Sequence, residues 1–109
     1  MPGIDDPAVV DAVTRTAEGE VVLIISHDRP WTDSPDEVDR LEQKLNAYAG
    51  FLLGGGFAEA YPQVADQPKR VQVDCVDQLT PLVADLMTQA EAAFAAHGIG
   101  VGVVIRPVG

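Results

Sequence analysis

Apolar positions recur along the chain with two different periods, and the switches between them divide it into segments. Val9 to Arg15 reads as a strand. Asp6-Pro7 offers an alternative, a short capped helix with proline at its first position. The strand is preferred, because Ala17-Glu18-Gly19-Glu20 then forms a short glycine-containing turn into Val21, as in a hairpin. Val21-Val22-Leu23-Ile24-Ile25 is apolar on both faces and rich in β-branched residues, which predicts a central strand.

The period then changes to that of a helix. Ser34-Pro35-Asp36-Glu37 fits a capping box, in which Ser34 accepts from the Glu37 amide and the Glu37 side chain reaches back to the Ser34 amide. Val38, Leu41, Leu45, Tyr48 and Leu52 follow on one face, and Gly54-Gly55-Gly56 stops the helix after about 19 residues, roughly 28 Å. Phe57 to Tyr61 alternates weakly and reads as a short strand ended by Pro62, with a polar turn from Gln63 to Lys69. Val71, Val73 and Cys75 alternate with Gln72 and Asp74, which predicts a strand with one wet face. Thr80-Pro81 opens a second helix that buries Leu79, Val83, Leu86, Met87, Ala90 and Phe94 and ends at His97-Gly98. Ile99, Val101, Val103 and Ile105 form a last strand, ended by Pro107.

The element order is therefore β-β-α-β-β-α-β over one domain, residues 1–109. Without its first strand it is the ferredoxin-like order. The expected fold is α+β: a two-layer sandwich with a mainly antiparallel sheet of 4–5 strands, an N-terminal hairpin and two helices on one face. The order of strands in the sheet stays open.

Composition narrows the function. Apolar residues make up 47% and charged residues 22%, which is globular composition. Seven Lys and Arg against seventeen Asp and Glu give a net charge of −10, and the only lysines are Lys44 and Lys69. Such a surface repels phosphate backbones and anionic membranes, so neither nucleic acid nor membrane is an expected partner. The N-terminus carries no signal-peptide pattern, and the longest apolar run, Val21 to Ile25, is too short to span a bilayer. A cytoplasmic protein is expected.

Candidate chemistry concentrates in Ser26 to Asp33, between the central strand and the capped helix. A functional reading makes His27 an acid/base or ligand, Asp28 or Asp33 its orienting partner, Arg29 an anion clamp and Trp31 a flanking ring. A structural reading has Asp and Ser capping the turn, Trp31 packing over the sheet edge and Arg29 pairing with a carboxylate. The structural reading is preferred, since a strand-to-helix loop is polar for local reasons alone. No cofactor is called for. No metal is expected either, because nothing fixes the spacing of His27, Asp28 and Asp33. Gly54-Gly55-Gly56 follows a helix and precedes no Lys-Ser or Lys-Thr, so it is not a phosphate loop. Cys75 reads as a buried, inert thiol, and Ser26 lacks a nucleophile context.

Ile24-Ile25-Ser26-His27-Asp28, Trp31, Leu41-Glu42-Gln43-Lys44-Leu45-Asn46-Ala47-Tyr48 and Tyr61-Pro62 together resemble a small bacterial family of uncharacterised domains. The resemblance covers roughly residues 8 to 76 and implies no known activity, cofactor or partner. It directs attention to Lys44, Asn46 and Tyr48. Asn46 is a poor helix former in mid-helix, so it either bonds to the 26–33 loop or a partner, or stands exposed; exposure is preferred. The expected function is that of an uncharacterised domain, most simply a non-enzymatic interaction or regulatory module. A homodimer is expected, through the last strand and the helix beside it. The alternatives are a small-molecule-binding protein or enzyme using His27 to Asp33, and an acidic immunity-type inhibitor of a basic partner.

Overall fold

Gly19 makes the turn that the hairpin requires, with φ at 92°, a region that favours glycine. The computed structural model describes residues 10–106. The Thr16 amide donates to the Glu20 carbonyl at 2.9 Å, closing the turn between β1 (Ala12–Arg15) and β2 (Val21–His27). The two strands pair antiparallel, from Ala12 opposite Ile24 to Arg15 opposite Val21. Val9 and the alternative Asp6-Pro7 helix start lie outside the described residues.

Along β2 the pleat sends Val21, Leu23, Ile25 and His27 to one face and Val22, Ile24 and Ser26 to the other. Leu23 and Ile25 have no exposed surface. β2 lies between β1 and β3, as a central strand should. α1 (Pro35–Leu53) begins where the capping pattern places it, with Ser34 Oγ accepting from the Glu37 amide at 3.2 Å. The reciprocal half of the capping box differs. The Glu37 carboxylate takes the amides of Thr32 and Asp33 rather than that of Ser34, because the loop folds back over the helix start.

The segment after α1 corrects the expected fold. Phe57 to Tyr61 is not a strand. α2 (Gly56–Ala60) occupies it, followed by a 3-10 turn at Pro62–Val64. Phe57 and Tyr61 are four residues apart, a spacing that suits one face of a strand and one face of a helix alike, and their rings lie 5.3 Å apart on one side of this helical turn. With that strand gone, β3 (Lys69–Cys75), α3 (Pro81–Ala95) and β4 (Gly100–Ile105) complete two consecutive βαβ units. Such units demand parallel neighbours. β2 pairs parallel with β3, and β3 with β4, in the sequential order β1-β2-β3-β4. The α+β class holds. The mainly antiparallel, ferredoxin-like arrangement does not, since only the β1–β2 pairing is antiparallel.

Right-handed crossovers that both advance in one direction put α1 and α3 on the same face of the sheet. There Leu23, Ile25, Val71 and Val73 meet Leu41, Leu45, Phe57, Val83, Met87 and Phe94 in one core. At the end of α3 the chain turns into β4 at Gly98, whose φ is 73°.

The other sheet face carries Arg70, Gln72 and Asp74 on β3 beside Gly100 and Gly102 on β4. Glycines on a strand face leave space for a second backbone. The Arg70 side chain of the same chain fills that space instead. A Cβ built on Gly102 would fall 3.0 Å from Arg70 Cζ and 3.2 Å from its Nε. The obstruction is the far end of a flexible side chain. Gly102→Ala should therefore displace Arg70 and cost less than about 1 kcal/mol, whereas Leu23→Ala should cost about 2–5 kcal/mol by opening a cavity. Urea unfolding of both variants measures the contrast. Equal costs would mean that the backbone at Gly102, and not Arg70, requires glycine.

Candidate functional site

β2 ends on His27, the last inward position of its alternation, so the imidazole is buried under the helix layer. The chain then doubles back and stacks Trp31 on it, with ring centroids 3.9 Å apart and planes 22° apart. His27 lies opposite Cys75 in the β2–β3 register, so Trp31 closes the core at the C-terminal ends of these two strands. Glu37, in the first turn of α1, approaches from the other side, with Oε2 3.6 Å from His27 Nε2. Its Oε1 accepts from the amides of Thr32 at 2.8 Å and Asp33 at 3.2 Å. Most of the acid's bonding capacity thus goes to anchoring the loop.

Asp33 adopts a left-handed conformation, with φ at 59°. It directs Oδ2 to the amide of Leu82, at 3.5 Å, in the first turn of α3. Thr80, the residue placed to cap α3, makes no such bond with its hydroxyl. Asp33 thus caps α3 from the loop before α1 and ties the two loops together.

Two turns along α1 from Glu37, Lys44 is fully buried and pairs with Asp11 at 2.5 Å. Asp11 Oδ2 accepts from the Ser26 amide at 2.8 Å, and the Asp11 amide donates to the Tyr48 hydroxyl at 3.0 Å. That hydroxyl donates to the Ile24 carbonyl at 2.7 Å. The Lys44 ammonium also lies 5.9 Å from the Tyr48 ring centroid, within cation–π range. Burial pushes the Tyr48 hydroxyl up to about 12, and the Asp11 amide only partly offsets this.

The predicted candidates therefore separate. His27 and Trp31 are stacked in the buried end of the core. Arg29 lines an open cleft of about 280 Å³ that His27, Thr32, Ser34, Glu37 and Arg40 also wall. Asp28 is exposed. Asp33 turns to α3. Asn46 is exposed, roughly 13 Å along α1 from Glu37, and lines a groove between α1 and α3 instead. Sequence reasoning missed Glu37 as the partner of His27, and Asp11 as the partner of Lys44. Strand alternation from Val21 carried the one available signal, since it places His27 inward, on the side of the helix that begins with Glu37.

His27, Arg29, Arg40 and Lys44 all have partners within the chain. Burial raises the Cys75 thiol above its ordinary value, with the Trp31 indole pulling the other way, and Cys75 Sγ donates to the Asp77 carbonyl at 3.4 Å. The thiol is thus held in its unreactive form. Among the described residues no three His, Cys, Asp or Glu side chains converge as a metal site would need, and no helix is long and apolar enough to cross a membrane.

The chain belongs to a family of unknown function, DUF6572, which matches residues 2–106. No curated protein and no solved structure matches it.

The buried pair predicts a specific coupling. Lys44→Met should cost about 3–5 kcal/mol, because it leaves the Asp11 carboxylate buried without its cation. Asp11→Asn keeps an acceptor for the Ser26 amide, so the double variant should recover part of that loss, a coupling of about 1–3 kcal/mol in urea unfolding. Additive losses would show that the two residues act separately. Tyr48 predicts an alkaline limb. Its folded value lies above the unfolded 10.0, so its contribution is present below pH 10 and disappears as pH rises through about 12. Stability should fall by about 2–3 kcal/mol across that window. Tyr48→Phe, though less stable at neutral pH, should flatten that fall in unfolding measured from pH 9 to 12.

Proposed function

We propose that the protein is a non-enzymatic interaction module, regulatory in effect, that works as a two-fold dimer paired through β4. The contrast between the two sheet edges carries this reading. β1 has four residues and is pinned by Asp11 to Ser26 and Lys44, which is how proteins keep an edge short and closed. β4 has six residues, with no charge, no proline and no bulge. The Arg106 amide donates to the Cys75 carbonyl at 2.7 Å, so the even-numbered residues of β4 face β3. The N–H and C=O groups of Val101, Val103 and Ile105 therefore point outward, ready to pair.

An antiparallel copy centred on Val103 brings the same uncharged sequence opposite itself and extends the sheet. α3, which flanks β4, joins the contact. The acidic net charge opposes association over long range. Locally β4 is bordered by Arg70 over its glycines and by Arg106, which lies 3.5 Å from Asp74, so no excess of acid meets its copy there.

Light scattering at micromolar concentration should give twice the 11.6 kDa chain mass. Val103→Lys and, at the more exposed Ile105, Ile105→Arg should each give a folded single chain by circular dichroism. A single-chain mass for the unaltered protein overturns the dimer. A dimer that survives both substitutions overturns the pairing through β4.

A further inference from the structure

The two long helices leave an apolar trough on the outside of the helix layer, away from both the sheet and the His27 loop. On α1 it is formed by Leu45, Ala49 and Leu53, and on α3 by Leu86, Ala93 and Phe94, around a volume of about 240 Å³. Leu45, Ala49 and Leu53 recur every four residues on α1, as Leu86, Ala90 and Phe94 do on α3, so each wall is one continuous stripe. Leu53 is 50% exposed in it, and Leu82, one turn before Leu86, is 49% exposed on the same stripe. Alanines stand on both walls, at positions 49, 90 and 93, so an incoming backbone can come close. From Glu42 to Leu53 the trough runs roughly 16 Å, the length of about three helical turns.

Charge fixes the kind of occupant. Glu42 and His97 are in the lining, no lysine or arginine is, and the exposed Asp39 and Asp85 lie one helical turn along from the lining residues Glu42 and Gln89. The chain as a whole carries seventeen acids against seven bases. A second copy would bring the same acids to this rim. We propose that the α1–α3 groove binds a basic amphipathic helix of a partner protein, with its small apolar stripe seated between Leu45, Ala93 and Leu53 and its Lys or Arg residues on the acidic rims. This is helix-in-groove recognition with electrostatic steering. It stands independently of pairing through β4, which leaves this side of α3 uncovered.

The test is a display library of helical peptides of about 16 residues, with a fixed Leu/Ala stripe at i, i+3, i+4, i+7 and randomised charge on the flanks. Selection on the intact protein should enrich Lys- and Arg-flanked peptides. A synthesised winner should bind with micromolar Kd, weaken on going from 50 to 500 mM salt, and lose about tenfold or more in affinity to Ala93→Arg. Ala93 is exposed, so that variant should keep its fold and its mass by light scattering. No enrichment, enrichment of acidic or non-amphipathic peptides, or unchanged binding to Ala93→Arg each overturns the proposal. A change in mass with Ala93→Arg would assign the groove to a second copy instead and overturn it as well. Failure of β4 pairing shows in the mass of the unaltered protein and leaves the peptide result standing.

Discussion

Lys44 sits in the middle of the longest helix with no surface in contact with solvent. An ammonium group in that position is tolerated only with an opposite charge and well-formed hydrogen bonds around it. Asp11 supplies them, and it does so from the entry to the edge strand. One of its oxygens holds Lys44, the other takes the Ser26 amide, and its own amide meets Tyr48, which reaches Ile24. β1, β2 and α1 are closed into a ring by these bonds. β1 itself is mostly exposed and has too little apolar surface to stay docked by packing alone. The same contacts fix the rotation of α1 about its axis. Glu37 lies seven residues before Lys44, two turns away on the same flank, so it too is turned toward the sheet. There it meets His27 and the loop amides. The conformation of the loop is thus a consequence of the buried pair.

How much of this could be read from the sequence depends on whether the signal was local. Both long helices, their proline starts and the glycine after α3 follow from capping and period, and they were legible. The hairpin and the central strand were legible too, because a β-branched run beside a short glycine turn has few other solutions. The polarity of the sheet was lost on five residues. Phe57-Ala58-Glu59-Ala60-Tyr61 satisfies a strand pattern and a one-turn helix pattern alike, and nothing within it decides between them. Gly55, with φ at 92°, breaks α1 in a way that lets a new turn begin at once. Read as a strand, the segment put two strands between the helices and made antiparallel pairing natural. Read as a helix, it leaves one, and parallel pairing is forced.

The site was less legible for a different reason. The loop from Ser26 to Asp33 is dense in chemistry, so its members were paired with one another. In three dimensions they turn outward to other elements: His27 to Glu37, Asp33 to α3, and Asp28 to solvent. Lys44 and Asp11 are 33 residues apart, and no periodicity joins them. A lysine on the flank of an amphipathic helix ordinarily reaches solvent along its stem. Here α1 lies so close over β1 and β2 that the flank is itself interior. Asn46 followed the opposite course. Its exposure was the expected outcome, and its position marks the wall of a groove that no motif announced.

In open sheets with parallel strands, ligands usually bind beyond the C-terminal ends of those strands. In this chain that region is narrowed to an open cleft of about 280 Å³ beside His27 and Arg29. Trp31 covers His27 and Cys75, Glu37 holds the loop down, and Asp33 ties it to α3. Two further surfaces stand apart from it, the backbone edge of β4 and the trough between the helices. The two are geometrically compatible. Antiparallel pairing of β4 with its copy places the two-fold axis perpendicular to the joined sheet, so both helix layers stay on one side. Both α1–α3 grooves then face the same way. A partner with two basic helices, or two partners held together, would engage them at once, and the second contact would form at the effective concentration set by the first. A chain of this size with a shallow groove gains affinity more readily by such doubling than by deepening the groove, because deepening would cut into the core that Leu45 and Phe94 also fill.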